Sequence, residues 1–387
     1  MNVNVGWRNL MKTGFVWTLA VALGIACSAN IEAASAKPAK QSSSEPAAKT
    51  DPGEWKKILE AAKKEGKIVL FGSPGEAWRK SMVDMFQQEY PEISVEFSAG
   101  AGRNFWPRIR QERGLGKKLW DLRTGGVDAL GMEAKRDGFL APIRPLLLPE
   151  IADDSKWFWG LDEAFNDREK KYILGFTSYV QPSVFFNADF IKESDLKSTE
   201  QLLDPKFRGK IVITTPTGGA SQKSLAHMAF MYGKNFILDL LSKQDVIVTD
   251  DNRQQVEWVV RGKYPIAIGL PTALLVPYAK QGLGKNLLTL EDKIIRITNG
   301  SGIINFLEGA PHPNAAKVYI NWLLSQKTQI LISQNTKTNS GRTDVPVVDK
   351  GTAIDLAKLN KYRNGDKEVN HEFADSLLPM IKEALKQ

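Results

Sequence analysis

Six short stretches of this chain combine hydroxyls, glycines and arginines as oxyanion recognition requires. Ser73 lies in Gly72-Ser-Pro-Gly75, Arg103 follows Gly100-Ala-Gly102, and Thr124 opens Thr124-Gly-Gly126. Thr217, Gly218 and Gly219 sit in Thr215-Pro-Thr-Gly-Gly-Ala-Ser-Gln222, Arg253 closes Asp250-Asp-Asn-Arg253, and Thr272 ends Ile266-Ala-Ile-Gly-Leu-Pro-Thr272. Glycine lets backbone N–H groups turn toward a ligand, hydroxyls add donors, and a guanidinium grips two oxygens at once. The expected chemistry is capture of a carboxylate, a phosphate or phosphonate group, or an anionic chelate. Each loop alone is also ordinary turn or cap chemistry. Arg253 has Asp250 and Asp251 as alternative partners.

Other chemistries find little support. The sequence has no Gly-x-Ser-x-Gly elbow, no His-Glu-x-x-His and no P-loop lysine. Gly100-Ala-Gly102 lacks the spacing of a dinucleotide fingerprint, so no cofactor is expected. The three histidines, His227, His312 and His371, are too far apart to form a spaced metal-ligand motif. Adjacent acids such as Asp153-Asp154 and Asp250-Asp251 suit turns and caps better than a general acid and base. The net charge of +8 raises nucleic acid as a partner, but lysines and acids are interspersed and no basic stripe exists. A solvated surface with a bias toward anionic ligands is the better reading.

The candidate loops share a position: each follows a strand, and most open a helix. Ile68–Phe71 is a short apolar run and Ile93, Val95 and Phe97 alternate. Lys210-Ile-Val-Ile-Thr214 and Ile266–Gly269 read as further strands. Trp78, Met82, Met85 and Phe86 mark one following helix; Leu225, Met228 and Ala229 mark another. This rhythm predicts parallel, doubly wound sheets. In such sheets ligands bind beyond the carboxyl ends of the strands, where helix N-termini converge.

At 387 residues the chain exceeds one comfortable core, so two lobes are expected. Arg8 and Lys12, the apolar Gly14–Ala26 and the small residues Ala34-Ser-Ala36 read as a signal peptide over 1–36. Removing it changes the formal charge from +8 to +7, since Arg8, Lys12 and Glu32 leave. Cys27, the only cysteine, is either discarded with that peptide or lipidated, since Gly-Ile-Ala-Cys27 resembles a lipobox. Residues 37–52 read as a disordered spacer. Near the end, Pro313 suits a first helical turn, and Ala315, Val318, Tyr319, Trp322 and Leu323 form one buried face. Lys317, Asn321 and Ser325 fall on the opposite, wet face.

The wording around that helix carries a resemblance. Ala310-Pro-His-Pro-Asn-Ala-Ala-Lys317 followed by Ile320-Asn-Trp-Leu-Leu-Ser325 resembles the periplasmic solute-binding proteins of bacterial ABC importers, nearest the ferric-iron, thiamine and sulfate-type receptors. Ala61–Phe71, Tyr90-Pro-Glu-Ile-Ser-Val95, Gly138-Phe-Leu-Ala-Pro142, Asp204–Ile211, Arg261–Ile266 and Arg342-Thr-Asp-Val345 match in the family's order. The resemblance implies an α/β fold of two hinged lobes with a ligand cleft between them. Lobe 1 is then expected over 53–156 and 294–345, and lobe 2 over 157–293 and 346–387, with Trp157-Phe-Trp159 leading into the second. It also implies a monomeric periplasmic receptor, not an enzyme, that closes on a small solute and delivers it to an inner-membrane permease. Two alternatives stand beside it: a ferric-iron or metal-chelate receptor of the same family, and a secreted hydrolase on a similar scaffold. Ferric-iron receptors carry adjacent tyrosines where this chain has Ala273-Leu274, with Tyr278 the only nearby phenol. No metal site is therefore expected.

Overall fold

The computed structural model describes residues 52–100, 102–216, 219–291 and 293–386. The expected leader, Cys27, the spacer up to Asp51, and Thr217 and Gly218 lie outside the described residues. Two mixed sheets, each flanked by helices, form the two lobes. The first orders its strands Ser94–Ala99, Lys67–Gly72, Leu122–Gly125, Ile303–Leu307 and Leu140–Ala141, with Leu174–Gly175 also pairing with Ile303–Leu307. The second runs Leu287–Thr289, Val184–Asn187, Ile266–Ile268, Ile211–Thr214 and Ile247–Thr249. Three neighbouring strands are parallel in each sheet, as the sequence rhythm predicts. Ile303–Leu307 and Val184–Asn187 instead run antiparallel to their parallel-set neighbours. Each of these two strands enters directly from the other lobe, so it needs no crossover helix to set its direction.

A small hinge sheet joins the lobes, ordered Tyr362–Asn364, Ile295–Thr298, Tyr179–Val180. The chain leaves the first sheet at Leu174–Gly175, passes Tyr179–Val180 and enters the second at Val184–Asn187. It returns through Ile295–Thr298 to Ile303–Leu307. A third connection is held by Asn339, whose Nδ2 donates to Asp349 O at 2.7 Å, and by Val180 N–H on Thr352 O at 2.8 Å.

The first crossing therefore falls later than the 156/157 boundary read from the sequence. Trp157, Leu161, Phe165, Leu174 and Phe176 are buried in one cluster with Ile68, Leu70 and Phe86 of the first lobe. Trp157 stays because its Nε1 donates to Ile151 O at 2.8 Å and the Arg342 guanidinium covers its ring. The final helix, Glu368–Ala384, packs on the second lobe, where Ala374, Leu377 and Ile381 join Leu225, Met228 and Ile237. Among the described residues no helix is long and apolar enough to cross a membrane.

The helix Pro313–Leu324 buries the face its spacing predicts, with Ala315, Val318, Tyr319 and Leu323 fully enclosed. Glu65, from the helix Pro52–Glu65, accepts the Ala315 N–H at 2.7 Å and so satisfies an orphan donor of the first turn. Asn321 is not on a wet face, as the spacing suggested, but only 4% exposed. Its Oδ1 accepts from Leu148 N at 2.7 Å and its Nδ2 donates to Leu146 O at 2.9 Å, pinning an irregular segment that offers no ladder of its own. His312 is likewise structural: its backbone N–H and Nδ1 meet Asp121 at 2.7 and 2.8 Å. Arg342 forks onto Asp344 with two bonds of 2.9 Å and caps the helix through Leu324 O.

Candidate functional site

A cleft of about 990 Å³ separates the carboxyl ends of the two sheets. Its first wall comes from the strand Leu122–Gly125 and the segments after Lys67–Gly72, Ser94–Ala99 and Leu122–Gly125, and contributes Ser73, Arg103, Arg123 and Asp128. Its second wall comes from Thr214, Thr215, Asp250 and the first turns of the helix Gly219–Tyr232, including Lys223. The floor is the hinge sheet and the start of the final helix, with Tyr179, Arg296, Arg363 and His371. Five cations and three carboxylates line it: Arg103, Arg123, Lys223, Arg296 and Arg363 against Asp128, Asp250 and Asp375.

The groups differ in how far they are committed. Arg123 is 2% exposed; its Nη2 donates to Asp128 Oδ2 at 2.9 Å and to Gly126 O at 3.0 Å, and its Nη1 to Asn305 Oδ1 at 3.1 Å. Trp106 lies 4.9 Å beneath it. Gly102 permits this, because a Cβ there would stand 2.0 Å from the Asp128 carboxylate. Arg103, in the first turn of the helix Gly102–Gly114, is exposed at the cleft mouth. Lys223 Nζ donates to Asp366 Oδ1 at 2.5 Å and reaches Val127 O of the opposite lobe at 3.5 Å. Asp366, itself buried, accepts the Asn299 N–H at 2.7 Å and the Thr298 hydroxyl at 2.6 Å. One carboxylate thus ties a cleft lysine to the hinge turn. Gly300 completes that turn at φ 53°, where a Cβ would meet the Tyr179 hydroxyl at 2.1 Å.

Burial shapes the titration of the floor. It pushes the Asp366 carboxyl upward, but the Lys223 charge, the His371 charge once that ring is protonated, and bonds from Lys223 and Thr298 win and hold it at about 2. It pushes the Tyr179 phenol up to about 12, with the Asp366 charge adding to the effect. His227 and His371 are pulled down to about 4, each chiefly by burial; nearby Arg296 and Arg363 add to this at His227, and Lys223 at His371. Both imidazoles are neutral at pH 7.

The residues singled out in the sequence are distributed unevenly. Ser73, Arg103 and Gly219 line the cleft. Thr124 is 2% exposed and lies under the wall, against Gly72. Arg253 and Thr272 are exposed and are not among the lining residues. Asp251 caps the helix Asn252–Val260 through the Arg253 backbone N–H, and Asp250 accepts the Thr215 hydroxyl. Ser221 is fully buried; its Oγ accepts Thr214 N–H at 3.0 Å and donates to Ile268 O at 2.8 Å. Sequence reading passed over Arg123, Lys223, Arg296, Arg363 and Asp366. A signal existed for Arg296, a full charge inside the apolar strand Ile295–Thr298, which only a polar floor explains.

Among the described residues no group of three or more His, Cys, Asp or Glu side chains is placed to hold a metal ion. Among the described residues Tyr179 is the only tyrosine lining the cleft.

Comparison with known proteins adds three findings. The family model described as bacterial extracellular solute-binding protein matches residues 71–330. A Haemophilus influenzae protein described only as uncharacterized is 21% identical over 329 residues, covering 81% of this chain and 86% of its own. The fold is that of iron-bound HitA from Pseudomonas aeruginosa, with a TM-score of 0.63 at 18% identity, covering 82% of this chain and 99% of that one. The Trichodesmium protein IdiA (FutA), in complex with iron and citrate, is similar at 0.63 and 16% identity, with coverage of 82% and 99%. AfuA from Actinobacillus pleuropneumoniae, bound to fructose-6-phosphate, is similar at 0.57 and 18%, with coverage of 83% and 98%.

Proposed function

We propose, because this chain belongs to the bacterial extracellular solute-binding protein family, that it is the exported binding component of an ABC importer. It captures a small anionic solute between its lobes and presents it, as a monomer, to a permease in the inner membrane. The observation that carries this reading is the cleft itself, about 990 Å³ between two separately cored lobes, lined by five cations and three carboxylates. Ligand touching both walls stabilises the closed arrangement by its contacts with each. Micromolar capture needs roughly 8 kcal/mol net. One or two charge-assisted hydrogen bonds of about 1.5–3 kcal/mol each, with helix N-termini adding up to about 1 kcal/mol apiece, supply much of its polar part.

The reading is of a binder, not a catalyst. The floor histidines are held neutral at pH 7, His227 near Arg296 and Arg363 and His371 near Lys223 and the carboxylates of Asp366, Asp128 and Glu368. Mass spectrometry of the solute that co-purifies, combined with small-angle scattering of emptied and reloaded protein, tests it. Expected are an anionic small molecule and a smaller radius of gyration on reloading. A cationic solute overturns the charge assignment; a radius unchanged by any retained solute overturns lobe closure.

The similar folds bound to iron, or to iron and citrate, motivate a second reading as a metal receptor. A bare ferric ion calls for several hard anionic ligands, and the lining offers Tyr179 with three dispersed carboxylates. The cationic floor suits iron better when it is carried inside an anionic chelate, which keeps this reading within the anionic class.

A further inference from the structure

The hinge sheet has two faces, and the cleft takes one of them. Successive side chains leave a strand by opposite faces. Along Ile295–Thr298 and the residue after it, Arg296 and Thr298 line the cleft, whereas Ile297 and Asn299 line a second cavity behind the sheet, of about 450 Å³. On the neighbouring strand Tyr179 goes to the cleft and Ser178 to the rear cavity. Tyr362 of the third strand joins the rear lining, and Phe158, Trp159 and Gly175 of the first lobe close its other side.

The walls of this cavity are aromatic. The Trp159 ring stands 5.7 Å from Phe158 and 6.0 Å, edge to face, from Tyr362. Trp159 is exposed and its backbone is held at φ 62°, a region that large side chains seldom occupy. Its Nε1 donates to Leu359 O at 3.1 Å, and the Tyr362 hydroxyl accepts the Asp355 N–H at 2.9 Å. Both rings are thus fixed at their polar ends.

Two polar groups of the lining are not fixed in this way. Ser178 is 7% exposed, and its hydroxyl makes no hydrogen bond among the described residues. Asn299 is buried; its Nδ2 donates to Thr177 O at 2.6 Å, while its Oδ1 has no partner among the described residues. Buried polar atoms are nearly always bonded, so two unmet ones on a single cavity point to an occupant. The charged side chains of the lining are engaged elsewhere. Lys367 pairs with Glu163 at 2.9 Å, and the Arg363 guanidinium bonds Asn370 and stacks over Phe230, which does not line the cavity. Aromatic faces beside neutral hydrogen-bonding groups suit a neutral, flat molecule.

We infer that the rear cavity is a second ligand site, for a small neutral heteroaromatic molecule of nucleobase-like chemistry. Its ring lies against Trp159 and Tyr362, an N–H answers Asn299 Oδ1, and a ring nitrogen or carbonyl accepts from the Ser178 hydroxyl. About 450 Å³ is room for one or two fused rings. The site is separate from the cleft and does not depend on what the cleft binds. Its occupant touches the first lobe and the hinge sheet, the parts that move against each other when the lobes close.

Equilibrium dialysis of the purified protein against adenine, uracil and nicotinamide, read by their ultraviolet absorbance, tests the site. Cyclohexanecarboxamide, an amide without an aromatic ring, is the control and is followed by mass spectrometry. Expected is one site per chain for at least one heteroaromatic, with the control weaker by about tenfold or more, the size of one stacking contact. Trp159→Gly, which suits the positive φ and removes the ring, should weaken that ligand by about tenfold or more. Trp159→Phe, which keeps a smaller ring, should fall between it and wild type. Ser178→Ala should weaken the ligand by about threefold or more, the size of one neutral hydrogen bond. Arg208→Gln, at a surface pair with Asp245 outside both cavities, should leave it unchanged, and circular dichroism checks folding. The inference is overturned if none of the three heteroaromatics is retained or if the control is held as tightly. It is equally overturned if folded Trp159→Gly or Ser178→Ala binds as wild type does, since the ring then lies in the cleft or on the surface.

Discussion

Replacing Asp366 by asparagine breaks the floor at its most heavily bonded group. The carboxylate is 1% exposed and receives Lys223 Nζ at 2.5 Å, the Thr298 hydroxyl at 2.6 Å and the Asn299 N–H at 2.7 Å. Burial alone would raise its pKa, but the Lys223 and His371 charges and the bonds from Lys223 and Thr298 hold it at about 2 instead of the ordinary 3.8. A depression of that size corresponds to roughly 2 kcal/mol of folding free energy at neutral pH. Asparagine keeps the shape and one acceptor, yet leaves the mostly buried Lys223 ammonium without its counter-ion. Breaking buried pairs from one side costs about 3–5 kcal/mol, so a loss of about 3 kcal/mol is expected for Asp366→Asn in urea unfolding at pH 7. Because the folded pKa is the lower one, the contribution is complete above pH 3.8 and disappears as pH falls through about 2. The gap between wild type and variant should therefore hold from pH 7 to about pH 4 and shrink below it. A loss under about 1 kcal/mol at pH 7 would refute the reasoning, because a buried ion pair that costs so little to break is not pinning the hinge turn.

Three further outcomes are expected. Arg103→Ala should weaken the co-purifying solute by about tenfold in calorimetry, and Arg253→Ala, outside the cleft, by less than about twofold; the reverse order would place the anion over the helix Asn252–Val260. His227 and His371 are held neutral at about 4 in the fold against 6.5 ordinarily. Their stabilising contribution is complete above pH 6.5 and lost as pH falls toward 4, by roughly 3 kcal/mol per imidazole; thermal melts that stay flat over that window would contradict it. Asn321→Ala leaves the Leu148 N–H and the Leu146 carbonyl unpaired, which should cost about 2 kcal/mol in urea; a cost below about 0.5 kcal/mol would mean that water takes over both bonds.

The lobes were legible where local pattern and tertiary burial agree. Ile68–Phe71 and Lys210–Thr214 read as strands because both of their faces are covered, and the helix Pro313–Leu324 reads from one apolar stripe. The crossing between lobes did not read, because an aromatic cluster marks burial without saying in which core. Trp157 goes to the first lobe through one hydrogen bond to Ile151 O and the ring contact with Arg342, a partner 185 positions later in the chain. The antiparallel strand in each sheet escaped for a related reason: its direction is set by the lobe it arrives from, which no window around it records.

The site shows the same division more sharply. Glycine and hydroxyl loops are announced in sequence, since their chemistry is local, and Ser73, Arg103 and Gly219 do line the cleft. The floor is assembled from positions as far apart as Lys223, Arg296, Arg363 and Asp366, and nothing near any one of them names the others. What could have been read is cost. Arg123 in Leu122–Gly125 and Arg296 in Ile295–Thr298 each put a full charge inside a strand that is otherwise apolar or hydroxyl-bearing. Burying such a charge is unfavourable by several kcal/mol unless something compensates it. Arg123 has its compensation in Asp128, Asn305 and the Gly126 carbonyl. Arg296 donates to Ser224 Oγ from the hinge strand that floors the cleft. Both charges stand on strands that line the cleft, which is where a buried guanidinium can serve a binding site.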